Sequence, residues 1–152
     1  MASVLQNPPL SEREAFEIGL LKFFHTLEVL AAPSEQQCVI LGNYNVAWQL
    51  KSDASDGIHF LKSPSRVVLS AEQQQGIARL HRALDFVPFR LMALSATAQG
   101  NVRALSDESW AEVRAQASVL LALLSRTIEE LRGETLNRRS RRLTTRCNGG
   151  EG

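Results

Sequence analysis

The densest run of chemically capable side chains lies between Gly42 and His59, GNYNVAWQLKSDASDGIH, and contains Tyr44, Asn45, Trp48, Asp53, Asp56 and His59. Two carboxylates and an imidazole so close in sequence can ligate a transition metal if the backbone curls around them. A calcium loop needs oxygen donors at its first, third and fifth positions, a Gly at the sixth and a Glu at the twelfth. With Gly57 as that glycine, Ala54 falls third and Ser63 twelfth, so the pattern fails. Asp and His in such a stretch also serve as ordinary solvated turn formers, and no metal is expected. The remaining chemistry is a small-ligand pocket, with the six residues lining a cavity beneath a loop folded back on the preceding helix.

Elsewhere the residue types for catalysis are present without the spacing. A di-iron helical site needs Glu-x-x-His, but Lys22 precedes His25 by three and Ala78 precedes His81 by three. His25 with Glu28, and His81 with Asp85, fit local surface pairs along a helix. Cys38 sits in an apolar run, where a thiol acts as a small hydrophobe. Glu129-Glu130 and Asp107-Glu108 are adjacent on helices and so diverge by about 100°. No Gly-x-Ser-x-Gly, Walker loop, dinucleotide fingerprint or Cys-x-x-Cys occurs. Nothing makes a positive case for an enzyme, and no cofactor is expected.

Arg138, Arg139, Arg141 and Arg142, followed by Arg146, form a basic cluster able to contact phosphates. It has no interleaved aromatics, and such clusters also occur as solubilising tails. A helix-turn-helix through Gly100 is rejected. Asn101 stands where an aliphatic residue belongs, and the segment from Trp110 reads as a long core seam.

The elements that must position these residues read as helices. Ser11-Glu12-Arg13-Glu14, Ser34-Glu35-Gln36-Gln37 and Ser70-Ala71-Glu72-Gln73 are capping boxes, and Ser106 precedes an acidic first turn. Phe16, Leu20, Phe23, Leu27 and Leu30 step by three and four, as do Trp110, Val113, Ala117, Leu120, Leu124, Ile128 and Leu131. Ile77, Leu80, Leu84, Val87 and Leu91 keep the same phase across Pro88, which predicts a kink or break there, with Asp85 able to recap. The segment from Glu35 to about Leu50 is apolar nearly all round and reads as the most buried helix, Gly42 allowing close approach of a neighbour. Residues 51–69, rich in Ser, Asp, Gly and Pro, read as one long loop. Beyond Gly133 apolar periodicity is lost, which predicts a flexible, disordered basic tail.

The totals agree with one domain. The 152 residues are 44% hydrophobic and 22% charged, with a formal net charge of +1. Five Arg and two Glu give residues 134–152 a charge of +3, leaving −2 for residues 1–133. No signal peptide or membrane span is read, and two cysteines do not make a disulfide framework. A cytoplasmic location and no membrane partner are expected.

The expectation is an all-α, irregular four-helix bundle with helices at about 12–31, 35–50, 71–99 and 107–132. Residues 1–133 form its single domain, 1–10 being an extended arm, and 134–152 a flexible basic tail. Broad apolar stripes, with Phe24 and Phe89 off the main seams, favour a non-catalytic interaction module, adaptor- or inhibitor-like, binding another protein or itself. Nucleic-acid association through the Arg tail and a small-ligand pocket or enzyme are the alternatives.

Overall fold

The computed structural model describes residues 11–42, 45–62, 69–93 and 97–147, with the backbone alone at 135, 136, 139 and 142–147. The expected arm at 1–10 lies outside them. Among the described residues the structure is all-α. Seven helices follow in order: α1 (Glu12–Ala31), α2 (Ser34–Leu41), α3 (Val46–Leu61), α4 (Ala71–Asp85), α5 (Phe89–Met92), α6 (Ala98–Leu105) and α7 (Glu108–Cys147).

Their starts follow the capping chemistry closely. Ser11 Oγ accepts the Glu14 amide at 3.2 Å, and Ser70 and Gln73 form a reciprocal capping box. At α7, the cap is Asp107 rather than Ser106: its carboxylate accepts the Ser109 amide at 3.0 Å. Ser34 also departs from expectation, since Pro33 holds the N-cap position of α2 and no side chain caps it.

The seams of α1 and α7 are buried throughout, from Phe16 to Leu30 and from Trp110 to Leu131. α1 packs against α7 and α3, and α4 against α7. All three pairs run antiparallel. Arg13 meets Glu134, Phe16 stacks on Phe60 at 6.3 Å while Gly57 faces Phe23, and Gln73 reaches Thr127. Gly76 lets α4 close on α7, for a Cβ there would stand 3.1 Å from Leu120 and Leu123. The short helices α2, α5 and α6 gather with the start of α3 at one end. The start of α1 and the later turns of α7 occupy the other.

Four expectations need correction. The segment 35–50 is not one buried helix. It breaks at Gly42, whose φ of 75° favours glycine, and α3 restarts from the Asn45 cap. Among the described residues nothing stands within 4 Å of where a Gly42 Cβ would be, and of α2 only Gln37 is buried. Residues 51–61 are not loop but the body of α3. Val46, Ala47, Leu50, Ala54, Ile58 and Leu61 bury one stripe against α1, and that burial outweighs the weak helix propensity of Ser, Asp and Gly. Within the expected third helix, 71–99, stand α4 and the one-turn α5, and an unexpected helix, α6, runs from its last two positions through the connection before 107. The break near Pro88 is present, with Pro88 itself at the α5 N-cap and Asp85 closing α4.

The tail does not leave helix at Gly133. α7 continues to Cys147, because one glycine costs only about 1 kcal/mol in a helix interior. The Glu134–Arg138 pair at 3.2 Å supports the next turn, and Arg138 also ties it to Glu17 of α1.

Candidate functional site

Of the six residues of the chemically rich stretch, five lie among the described residues, and Asp53 and Asp56 alone of these line the α1–α3 groove. Tyr44 lies outside the described residues. Asn45 is the N-cap of α3: its side-chain Oδ1 accepts the Trp48 amide at 3.1 Å, and its Nδ2 donates to the Met92 carbonyl in α5. Asn101 of α6 supplies the complementary acceptor, taking the Val46 amide at 3.2 Å. Two side chains thus satisfy two first-turn donors of α3. Trp48, Asp53, Asp56 and His59 are exposed on α3, with no loop at 51–61 to cover them.

Asp53 and Asp56, three residues apart, do share one environment. They rim a groove of about 430 Å³ between α3 and α1, whose floor includes Ile18, Gly19, Phe23 and Phe60. Partial burial, then the charge of Asp56, pushes the Asp53 carboxyl above its ordinary range. His59 does not line this groove. Among the described residues no three His, Cys, Asp or Glu side chains converge to hold a metal. Cys38 is half-buried, and burial raises its thiol, which disfavours the nucleophilic thiolate.

The basic cluster is partly consumed by the fold. Arg138 contacts the Glu17 carboxylate at 3.3 Å and Glu134 at 3.2 Å, and Arg13 contacts the same two at 3.2 Å each. Glu17 is only 5% exposed, so these guanidiniums supply the charge partners its burial requires. The hydrogen bond and charge of Glu17, then those of Glu134, hold the Arg138 guanidinium above its ordinary range. Arg141 lines the cleft beside this network, and Arg139 and Arg142 occupy helical positions of α7. No spacing rule reveals the Glu17–Arg138 pair, because 121 residues separate its members.

The opposite end presents apolar side chains. On either side of Pro88, Phe86 is 76% and Phe89 81% exposed; Val39 in α2 is 82% and Trp48 58% exposed. Phe86 borders a cleft shared by α4 and α7, beside Arg82 and Glu112. Their helices belong to the same end of the molecule, since α3 contacts both α2 and α5. Phe89 was legible as a residue off its seam. Phe24 was not rightly placed by that criterion, for it packs on the core beneath the Arg132 guanidinium, 5.8 Å from its ring centre.

No helix among the described residues is long and apolar enough to cross a membrane. Comparison of the chain with protein-family models, with curated proteins and with solved structures finds no match.

Proposed function

We propose that this protein is a non-catalytic interaction module, adaptor- or inhibitor-like, which engages another protein through its apolar end. The observation that carries this reading is the pair Phe86 and Phe89, both more than three-quarters exposed at the α4–α5 break. Exposing large aromatics is costly for a free monomer, and aromatic anchors dominate protein–protein interfaces. The scaffold is a bundle of α1, α3, α4 and α7, closed at this end by α2, α5 and α6. Helix ends fixed by Asn45 and Asn101 hold the patch in place, so little ordering entropy is lost on binding. The setting is reducing and cytoplasmic, in keeping with two cysteines that form no framework.

Affinity capture and multi-concentration light scattering of the wild type and of Phe86→Ser/Phe89→Ser test the reading. The wild type is expected to retain a partner or self-associate, and the variant to do neither while unfolding at the same midpoint. A monomeric wild type that captures nothing refutes it.

The Arg-rich segment favours a second reading, nucleic-acid association, since Arg141 lines an open cleft beside Arg138 and α7 presents the cluster on a helix. Engagement of Arg138 by Glu17 and Glu134 weighs against it. A salt titration of binding to duplex and single-stranded oligonucleotides decides: wild type and Arg141→Ala/Arg142→Ala should differ in affinity and in salt slope. Equal affinity removes the idea.

A further inference from the structure

The α1–α3 groove differs from the apolar end in being both apolar and charged in a fixed pattern. Gly19 and Gly57 set its depth. A Cβ on Gly19 would stand 2.1 Å from the Phe60 ring, and one on Gly57 2.6 Å from Phe23, so both rings lie directly over glycines. The floor between the helices is therefore aromatic, and Ile18 and Phe60 remain exposed beside it. The groove is lined by α1 from Ala15 to Thr26. At 1.5 Å per residue that is about 17 Å, or three helical turns.

The rims carry opposite charge. Asp53 and Asp56 stand on the α3 side and Lys22 on the α1 side. The two carboxylates repel one another across a partly dried surface, and among the described residues neither has an ion-pair partner. That arrangement asks for a cation next to an apolar ridge.

We infer that the groove receives a short amphipathic helix from a partner protein, apolar along one ridge and basic on the flank that faces α3. Its apolar residues, spaced by three and four, cover Ile18 and Phe60. Its Lys or Arg residues lie against Asp53 and Asp56, and an acidic or neutral flank passes Lys22. The charge pattern sets the orientation of the helix and the apolar floor supplies most of the affinity. This surface is separate from the Phe86–Phe89 patch, so a failure of one leaves the other standing.

The probe is a fluorescein-labelled 17-residue peptide with Leu at i, i+3, i+4 and i+7 and Lys on one flank, titrated against the full chain by anisotropy. Saturable binding is expected, weakened at least about tenfold by Asp53→Lys/Asp56→Lys and by Ile18→Glu. On Asp53→Lys/Asp56→Lys, a peptide with Glu replacing Lys should recover most of the lost affinity. Phe86→Ser/Phe89→Ser should bind the Lys peptide as the wild type does. Equal binding of the Lys and Glu peptides to the wild type overturns the inference, as does indifference to Asp53→Lys/Asp56→Lys. A dimer abolished by that same double substitution assigns the groove to a second copy and overturns it too.

Discussion

At one end of the long helices Glu17, Glu134, Arg13 and Arg138 satisfy one another, while at the other Val39, Trp48, Phe86 and Phe89 stand in solvent. The charged end is internally complete: a buried carboxylate has found its guanidiniums within the same chain. The apolar end is closed by hydrogen bonds instead. Gln37 donates to the Val29 and Leu30 carbonyls at 3.0 Å each, Arg114 donates to the Leu105 carbonyl at 2.8 Å, and Asn45 and Asn101 cap α3. Those bonds fix the backbone yet leave the aromatics uncovered. Conspicuous charge in the sequence therefore marks structure here, and inconspicuous Phe residues beside a proline mark exposed apolar surface.

The comparison breaks most severely at Gln37. Its amide holds two carbonyls at the α1 C-terminus and is fully buried. Gln37→Leu should cost about 2 kcal/mol in urea unfolding, because the buried Leu30 carbonyl loses its donor, while the Val29 carbonyl keeps the Ala32 amide at 3.2 Å. A change below about 0.5 kcal/mol would show that water reaches those carbonyls and that this end is looser than described.

Next come the two glycines between the ends. Gly57→Ala sets a Cβ against the buried Phe23 ring, and the overpacking should exceed the gain in helix propensity, for a net loss of about 1–2 kcal/mol. Gly19→Ala meets Phe60 even more closely, but that ring is partly exposed and can swing outward. Its effect should be the smaller of the two. Circular dichroism melts of both variants check the order; the reverse order contradicts the packing described.

The charged end should respond to salt more than the apolar end, where Arg90 lies 3.9 Å from Asp107. Arg138→Ala should lower the urea midpoint and loosen α7 beyond Gly133, seen as faster amide exchange there. Raising salt to roughly 0.5 M should narrow part of the difference from the wild type, since the exposed Glu134 arm is screened while the pair with buried Glu17 is screened much less. An unchanged midpoint at low salt makes the network incidental.

How much of this was legible follows from the type of interaction. The seams of α1 and α7 were plain, because Phe16 to Leu30 and Trp110 to Leu131 are apolar at unbroken steps of three and four. The helix at 51–61 was hidden, since its buried stripe uses Ala47 and Ala54 between widely spaced Leu50, Ile58 and Leu61, amid Ser, Asp and Gly. The break at Gly42 was signalled by Gly-Asn-Tyr-Asn, where Asn45 is a strong N-cap residue. Continuous apolarity obscured that signal. Of the candidate site, Asp53 and Asp56 do share a groove, but its other wall is α1, which no local pattern discloses. Asn45 matters as a cap and His59 stands apart.

A smaller effect tests Asp107, the carboxylate that caps α7 at the apolar end. Hydrogen bonds from the Ser109 hydroxyl and amide, aided by Arg90, hold Asp107 below its ordinary value of 3.8. A lowered folded-state value stabilises above the unfolded one, so this contribution is present above about pH 4 and lost as pH falls further. Stability of the wild type should drop more steeply across that acid range than that of Asp107→Asn. Parallel curves contradict the cap.

The smallest expected change in stability accompanies the largest change in association. Phe86→Ser/Phe89→Ser removes side chains that already face solvent, so its unfolding free energy should stay within about 0.5 kcal/mol of the wild type. Affinity capture and light scattering on these two matched proteins therefore read the apolar end directly. The wild type should hold a partner or a second copy, and the double variant neither. Identical behaviour of the two proteins would contradict this.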